Sequence, residues 1–359
     1  MGDMDLGFAE ERGKEWLTNR YFPSKVGGKP AWLELEQLPT NRELLCVTCQ
    51  EPKTFLCQIY APFEDEHNFH RTIYIFVCRS TFCQDCNSAK NLTIYRSQLP
   101  RKNKFYSEKP PMEEGDPLPE INPSKKLCIA CGCLGPLSCG RCRMVNYCSA
   151  KHQRAHWPHH KKVCMAENQG ENKNTDIFLP CVTFPEWEIA VEVNDPSEET
   201  ESDRDNESLE KKSLEEYQNL VAAGKTGTLK DVADFELDKY ASESDTVDDK
   251  IFRKFKKVVN KDPDQILRYK RGGKPLWIAD VEQSIAEQLQ IPNCEICGSE
   301  RQFEFQIMPQ MLNLLKDDHL DWGTLAVYTC SKSCPLPIGK GYAFEYIVKQ
   351  DLFLNENKK

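Results

Sequence analysis

The sequence predicts an α+β, β-rich fold: two related, cysteine-knuckled β halves packed as one pseudo-twofold domain, with a cysteine-rich finger and a disordered acidic linker inserted between them. Three observations carry this expectation. The string GGKP-x-W stands at residues 27–32 and again at 272–277. Eighteen cysteines fall mostly in pairs at short, recurring spacings. Residues 186–249 hold 21 Asp+Glu against 6 Lys+Arg, so this one segment carries −15 of a chain whose net charge is −9.

The first element, residues 1–106, reads as a β-rich repeat in which TFLCQIYAP and RTIYIFVC are dense in aromatic and β-branched residues. The glycine pair Gly27-Gly28 is expected to turn the chain, by positive φ or close backbone approach, ahead of a strand carrying Trp32. Residues 107–126 form a proline-rich linker, and residues 127–165 a compact cysteine island. Residues 176–194 contain WEIAVEV, whose alternation of Trp187, Ile189, Val191 and Val193 predicts a half-buried strand joining the β domain.

Residues 195–248 hold too little apolar material to offset the entropy of ordering, and read as disordered apart from a short helix near Ser213. Residues 249–359 form the second β-rich repeat. It opens on a surface helix with Ile251, Phe252, Phe255, Val258 and Val259 on one face, followed by Gly272-Gly273 ahead of a strand carrying Trp277.

The two repeats also match beyond GGKP-x-W. Cys46, Cys49, Phe55, Gln58 and Ile59 parallel Cys294, Cys297, Phe303, Gln306 and Ile307, and TIYIFVC ending at Cys78 parallels TLAVYTC ending at Cys330. A further cysteine follows each, Cys83 and Cys334. Eighteen cysteines in a reducing compartment indicate metal ligation rather than disulfides. A C-x2-C turn plus a second pair from the end of a strand makes four thiolates, which close a structural zinc site. Cys46, Cys49, Cys78 and Cys83 are therefore candidate ligands of one zinc, and Cys294, Cys297, Cys330 and Cys334 of another. The plain alternative is a set of buried, metal-free thiols. Cys57 faces Phe305 across the alignment and reads as core, while Cys86 lies beyond the matched stretch.

The island reads C-x2-C-x7-C-x2-C-x5-C-x3-H-x7-H-x3-C from Cys128 to Cys164, eight ligands in four pairs and hence two tetrahedral sites. So short a segment folds only with its metal. Cys133, His156 and His159 fall outside the pattern and are expected at the surface, and Cys181 reads as a lone buried thiol.

With its YCS turn at residues 147–149 and Trp157 ahead of H-x3-C, the island resembles the MYND zinc finger. The resemblance implies interleaved ligation, Cys128, Cys131, Cys148 and His152 around one zinc and Cys139, Cys142, His160 and Cys164 around the other. His152 stands where that family usually has Cys. It also implies binding of short, proline-containing peptides. With both GGKP-x-W copies, LPRKNKFY at 99–106 and FPEWEIAVE at 184–192, the whole chain resembles the programmed cell death 2 family.

That wider resemblance implies a split domain around a finger, cytoplasmic and nuclear occurrence, and service as a dedicated chaperone of a nascent, basic small-subunit ribosomal protein, the counterpart of bacterial S-five. Fourteen ligand thiolates against four Zn²⁺ would add about −6 to the chain's charge, which suits a cationic client. The competing expectation is a nuclear adaptor that recruits partners through the finger. No run of about 18 apolar residues suggests a membrane span, and the N-terminus shows no signal-peptide pattern. Direct nucleic-acid binding is disfavoured by charge, an enzyme by the lack of phosphate-loop motifs or an open zinc position, and a monomer is expected.

Overall fold

The computed structural model describes residues 4–111, 125–164, 177–193 and 247–351. Most of the proline-rich stretch and the acidic linker, with the helix expected near Ser213, lie outside the described residues. β1 (Asp5–Glu10), β2 (Lys25–Val26), β3 (Thr54–Tyr60), β4 (His70–Val77) and β5 (Leu92–Leu99) come from the front of the chain. β6 (Leu137–Ser138), β7 (Asn146–Tyr147) and α1 (Ala150–Cys164) form the finger, and β8 (Trp187–Glu192) follows. The rear supplies α2 (Val247–Val259), β9 (Leu267–Tyr269), β10 (Arg301–Ile307), β11 (Thr324–Cys330), β12 (Ala343–Phe344) and β13 (Tyr346–Gln350).

Eleven strands make one sheet, ordered β12-β5-β4-β3-β2-β8-β1-β9-β10-β11-β13. β12 and β13 are separated by Glu345 alone, yet they pair with β5 and β11 at opposite ends of that order, so the sheet is nearly closed on itself. Its interior is a single core to which both ends of the chain contribute, including Cys57, Ile59, Ile73, Ile75 and Ile94 from the front and Leu267, Phe305, Ile307, Val327 and Ile347 from the rear.

The outer faces are covered as well. Tyr74, Phe76 and Tyr95 lie beneath Trp32 and the finger, and Phe303, Ala326, Tyr328 and Val348 beneath Trp277, Val281 and Ile285. β4 is therefore buried along its whole length, and HRTIYIFV shows no polar-out alternation because it has no wet face.

Residues that match in the sequence take matching places. Both β3–β4 and β10–β11 carry an irregularity of register, between Phe55 and Cys57 and between Phe303 and Phe305. The Gln58 side chain receives the Ala31 N–H at 2.8 Å and donates to Ala31 O at 3.4 Å. Gln306 does the same to Leu276, at 2.6 and 3.2 Å. Each glutamine thus fixes the residue ahead of Trp32 or Trp277 by both backbone groups. α2 buries Phe255 and Val259 against Ile278 and Met308, with Phe252 partly buried beside them.

Several expectations are corrected. Trp32 and Trp277 sit on irregular segments, because the strands β2 and β9 precede the glycine pairs rather than follow them. Gly27 has φ +66° and a Cβ there would stand 1.9 Å from the Pro185 carbonyl oxygen, so only glycine lets the chain turn here, close against residues 184–185. Val191 and Val193 do not point into the core: they are 42% and 76% exposed, because β8 runs past the end of its neighbour β2. Cys133 and His156 are buried rather than superficial, the latter in contact with the Tyr147 hydroxyl, and Cys181 is exposed rather than buried.

Two buried ion clusters join front to rear. Arg71 on β4 and Glu304 on β10 are both fully buried, and pair bidentately at 2.5 and 2.7 Å, with Tyr269, Thr329 and Ser333 completing their hydrogen bonds. Burial alone would raise the Glu304 carboxyl, but the Arg71 guanidinium outweighs it and holds the group below its ordinary value. Glu345 accepts from Arg96 of β5 at 2.7 Å and from Arg301 of β10 at 3.0 Å.

Removing one partner strands the other charge in the core. Glu304→Gln is expected to lower unfolding free energy by about 3–5 kcal/mol in denaturant titrations. The pair of apolar substitutions Arg71→Met with Glu304→Leu recovers most of that loss. A loss below about 1 kcal/mol would show that the pair is not desolvated in solution.

Candidate metal centres

Sixteen side chains come together in four groups, in each of which the ligand atoms lie within 4.8 Å of one another: Cys46, Cys49, Cys78 and Cys83; Cys128, Cys131, Cys148 and His152; Cys139, Cys142, His160 and Cys164; and Cys294, Cys297, Cys330 and Cys334. These are the sets anticipated from spacing and from the finger resemblance, with the finger's ligands interleaved as that resemblance implies.

One backbone device builds all four. In each C-x2-C turn the N–H four residues after the first cysteine donates back to that cysteine's carbonyl: Gln50 to Cys46 at 2.9 Å, Gly132 to Cys128 at 2.8 Å, Arg143 to Cys139 at 2.9 Å and Gly298 to Cys294 at 2.8 Å. The donor residue is left-handed every time, with φ of 59°, 75°, 57° and 71°. Two of these positions are glycine, which adopts that conformation without penalty; Gln50 and Arg143 adopt it under the constraint of the turn.

The distances suit a tetrahedral ion. With metal–sulfur bonds near 2.3 Å, neighbouring sulfurs of a tetrahedron stand about 3.8 Å apart. Cys46–Cys83 and Cys49–Cys78 measure 3.8 and 3.5 Å, and Cys294–Cys334 and Cys297–Cys330 measure 3.7 and 3.5 Å. In the finger, Cys131–Cys148 is 3.7 Å and Cys139–Cys164 is 3.9 Å. His152 turns Nδ1 toward Cys128 and Cys148, whereas His160 turns Nε2 toward Cys139 and Cys142.

One turn cysteine in each of three clusters is held toward thiolate, whereas burial pushes Cys78, Cys83, Cys164, Cys330 and Cys334, which come from outside the turns, up. Burial pushes the Cys46 thiol up, but backbone N–H groups of Cys49 and Thr48 and the neighbouring thiols bring it to about 7. For Cys139 burial is again outweighed, by the Cys142 and Arg141 N–H groups and by His160, giving about 6. The Ser299 side chain and backbone lower Cys297 to about 6. Four soft donors on a closed tetrahedron leave no position for a reacting water, so the chemistry this geometry supports is structural zinc binding rather than hydrolysis.

Sequence reasoning missed the cations around the repeat sites. Lys53 is buried beside the first cluster and donates to Leu92 O at 3.0 Å; burial lowers its pKa, against the opposing pull of the four thiols. Beside the fourth cluster Arg96 reaches Cys334 O at 3.1 Å and Cys334 Sγ at 3.8 Å, and Arg271 donates to Cys330 O at 2.8 Å. Arg96 belongs to the front half, so one repeat's strand supports the other repeat's metal site. Lys53 and Arg96 do not occupy matched positions; Lys53 falls opposite Arg301 in the register that pairs Cys46 with Cys294, a match of cations that sequence reasoning passed over.

The finger is anchored on the first half. Trp32 Nε1 donates to Gly132 O at 2.8 Å and Asn41 Nδ2 to Cys148 O at 2.9 Å, while finger residues Ala130, Cys133, Val145 and Tyr147 share a core with Leu35, Leu44 and Phe55.

Comparison with known proteins matches three parts of the chain. Residues 3–113 match the family described as programmed cell death protein 2, N-terminal domain, residues 249–351 its C-terminal putative domain, and residues 128–164 the MYND finger. The chain is 41% identical to programmed cell death protein 2 of Rattus norvegicus over 97% of this chain and 96% of that one. It is 26% identical to programmed cell death protein 2-like of Homo sapiens, over 91% and 90%. A Schizosaccharomyces pombe protein named "Probable 20S rRNA accumulation protein 4" is 39% identical over 29% of each chain. No solved structure matches. Matching at both ends and in the middle, and aligned over nearly its whole length with the rat protein, the chain belongs to the programmed cell death protein 2 family.

Proposed function

We propose that this protein is a non-enzymatic zinc protein that escorts a nascent, basic small-subunit ribosomal protein, the counterpart of bacterial S-five, in the cytoplasm and nucleus. The observation that carries the reading is the relative named for 20S rRNA accumulation, a name that points toward ribosome biogenesis. Charge supports it. The acidic segment at 186–249 attracts a cationic chain before RNA neutralises it, and shields that chain from adventitious RNA contact, an effect that weakens as salt rises.

Each of the four clusters holds one zinc, two in the finger and one in each repeat. The matched register irregularities and the paired glutamines support two copies of one module related by a pseudo-twofold between β1 and β8. A second reading, a nuclear adaptor, is favoured by a shallow depression of about 330 Å³ lined by Gln153, Arg154 and Trp157 on α1, a place for a proline-containing peptide.

Intact-complex mass measurement is expected to give four zinc per chain, and Cys297→Ser with Cys330→Ser to give three; two for the unaltered protein would leave the repeats metal-free. Affinity purification from translating cells should recover one basic small-subunit ribosomal protein as a nascent chain, with yield falling as salt rises. Recovery of assembled transcription complexes instead would overturn the chaperone reading in favour of the adaptor.

A further inference from the structure

In the middle of the sheet, one side of β8 is only partly paired. β8 pairs with β1 over Glu188–Glu192, but with β2 only at Trp187 and Glu188, because β2 is two residues long. The Ile189 N–H donates to Ser24 O at 2.9 Å on the β2 side. Peptide groups alternate along a strand, so the N–H and C=O of Val191 point to that same side, where no strand of the described residues receives them. The chain that would continue β2 leaves instead: Phe22 is left-handed and stacks on His70 and Tyr60. Among the described residues this leaves an open sheet edge whose side chains, Val191 and Val193, are apolar and exposed. Soluble proteins ordinarily cover or charge such an edge.

The neighbouring face is acidic. Glu10 stands directly opposite Glu188 across β1 and β8, a like-charge pair that costs stability in isolation, and Glu192 lies on the same face, further along the strand. Arg12 approaches Glu188 at 3.7 Å, while Glu10 and Glu192 are exposed. Half-buried Phe8 and Ala190 lie between these carboxylates.

We infer that the open edge of β8 at residues 190–193 is the docking site of an extended, lysine- or arginine-bearing polypeptide segment that adds a strand to the sheet. The inference rests on the chaperone reading above and gives that reading a place on the molecule. Main-chain hydrogen bonds to Val191 supply affinity. Alternation supplies selectivity: residues opposite Val191 meet the apolar mouth of the sheet, and their neighbours meet Glu192, Glu188 and Glu10. A nucleic acid, carrying negative charge, is repelled by the same carboxylates.

The test uses the full chain, a short peptide alternating Lys and Val, and two variants. Val191→Pro removes an N–H that faces away from β1 and leaves the β1 ladder intact; Glu10→Lys with Glu192→Lys reverses the exposed charge. Zinc content and melting temperature confirm that each variant folds. The peptide is expected to bind the unaltered protein in a salt-dependent manner and to lose about tenfold in affinity with either variant. No binding to the unaltered protein, or affinity for Val191→Pro within about twofold of it, overturns the docking site.

Capture of nascent chains from translating cells separates this from the parent reading. A basic client captured equally by the unaltered protein and by Val191→Pro sinks the edge but not the escort role. No basic client captured, with the peptide still bound at the edge, sinks the escort role but not the edge.

Discussion

The Arg71 guanidinium can sit at the centre of this molecule only because Glu304, 233 residues further along the chain, sits against it. An ion buried without a partner costs several kcal/mol, so the front strands cannot close over Arg71 and Arg96 until the rear of the chain delivers Glu304 and Glu345. These pairs are not a large net source of stability, since hydrophobic replacements of the same volume could fill the space. What they do is choose a partner and a register: slip β10 by one residue and Glu304 turns to the opposite face of the sheet.

Glu345 extends that constraint to the metal sites. It stands between β12 and β13, the short strands that bring the sheet nearly to closure, and its carboxylate also accepts the Cys330 N–H at 3.0 Å. Arg96, which it holds, reaches the carbonyl and sulfur of Cys334. Closure of the sheet, association of front with rear and the geometry of the fourth cluster are thus one cooperative arrangement. Metal loss there would be felt at the seam between the ends of the chain, not only in one loop.

The two halves differ in what covers them. The finger lies over the outer face of the first half, through Trp32 and Gly132, whereas a segment containing Val281, Ile285 and Leu289 covers the second. A finger this small has little core of its own, so its zinc ligands and its contact with Leu35, Leu44 and Phe55 together supply the burial that residues 127–165 lack. The closed thiolate sites act as rivets in a scaffold, and among the described residues β8 runs on past β2 with no strand on that side.

Sequence by itself marked the ligand residues, because four sulfurs or nitrogens around an ion impose spacings that side-chain identity must obey, while which finger pairs share an ion came from the resemblance to the MYND family. The match of Cys46, Cys49 and Gln58 with Cys294, Cys297 and Gln306 was equally legible, since each position answers to local turn or strand geometry. Only tertiary structure decided the rest. Trp32 and Trp277 read as strand residues because their pattern is apolar, yet at Gly27 the chain turns with the Pro185 carbonyl packed where a side chain would stand, a contact between segments more than 150 residues apart that no local pattern encodes. Val191 and Val193 read as core for the same reason and are exposed, because burial of a strand depends on how far its neighbours run. Charge pairs such as Arg71 with Glu304 repeat nothing and obey no period, so they become visible only when the fold brings both ends of the chain to one place.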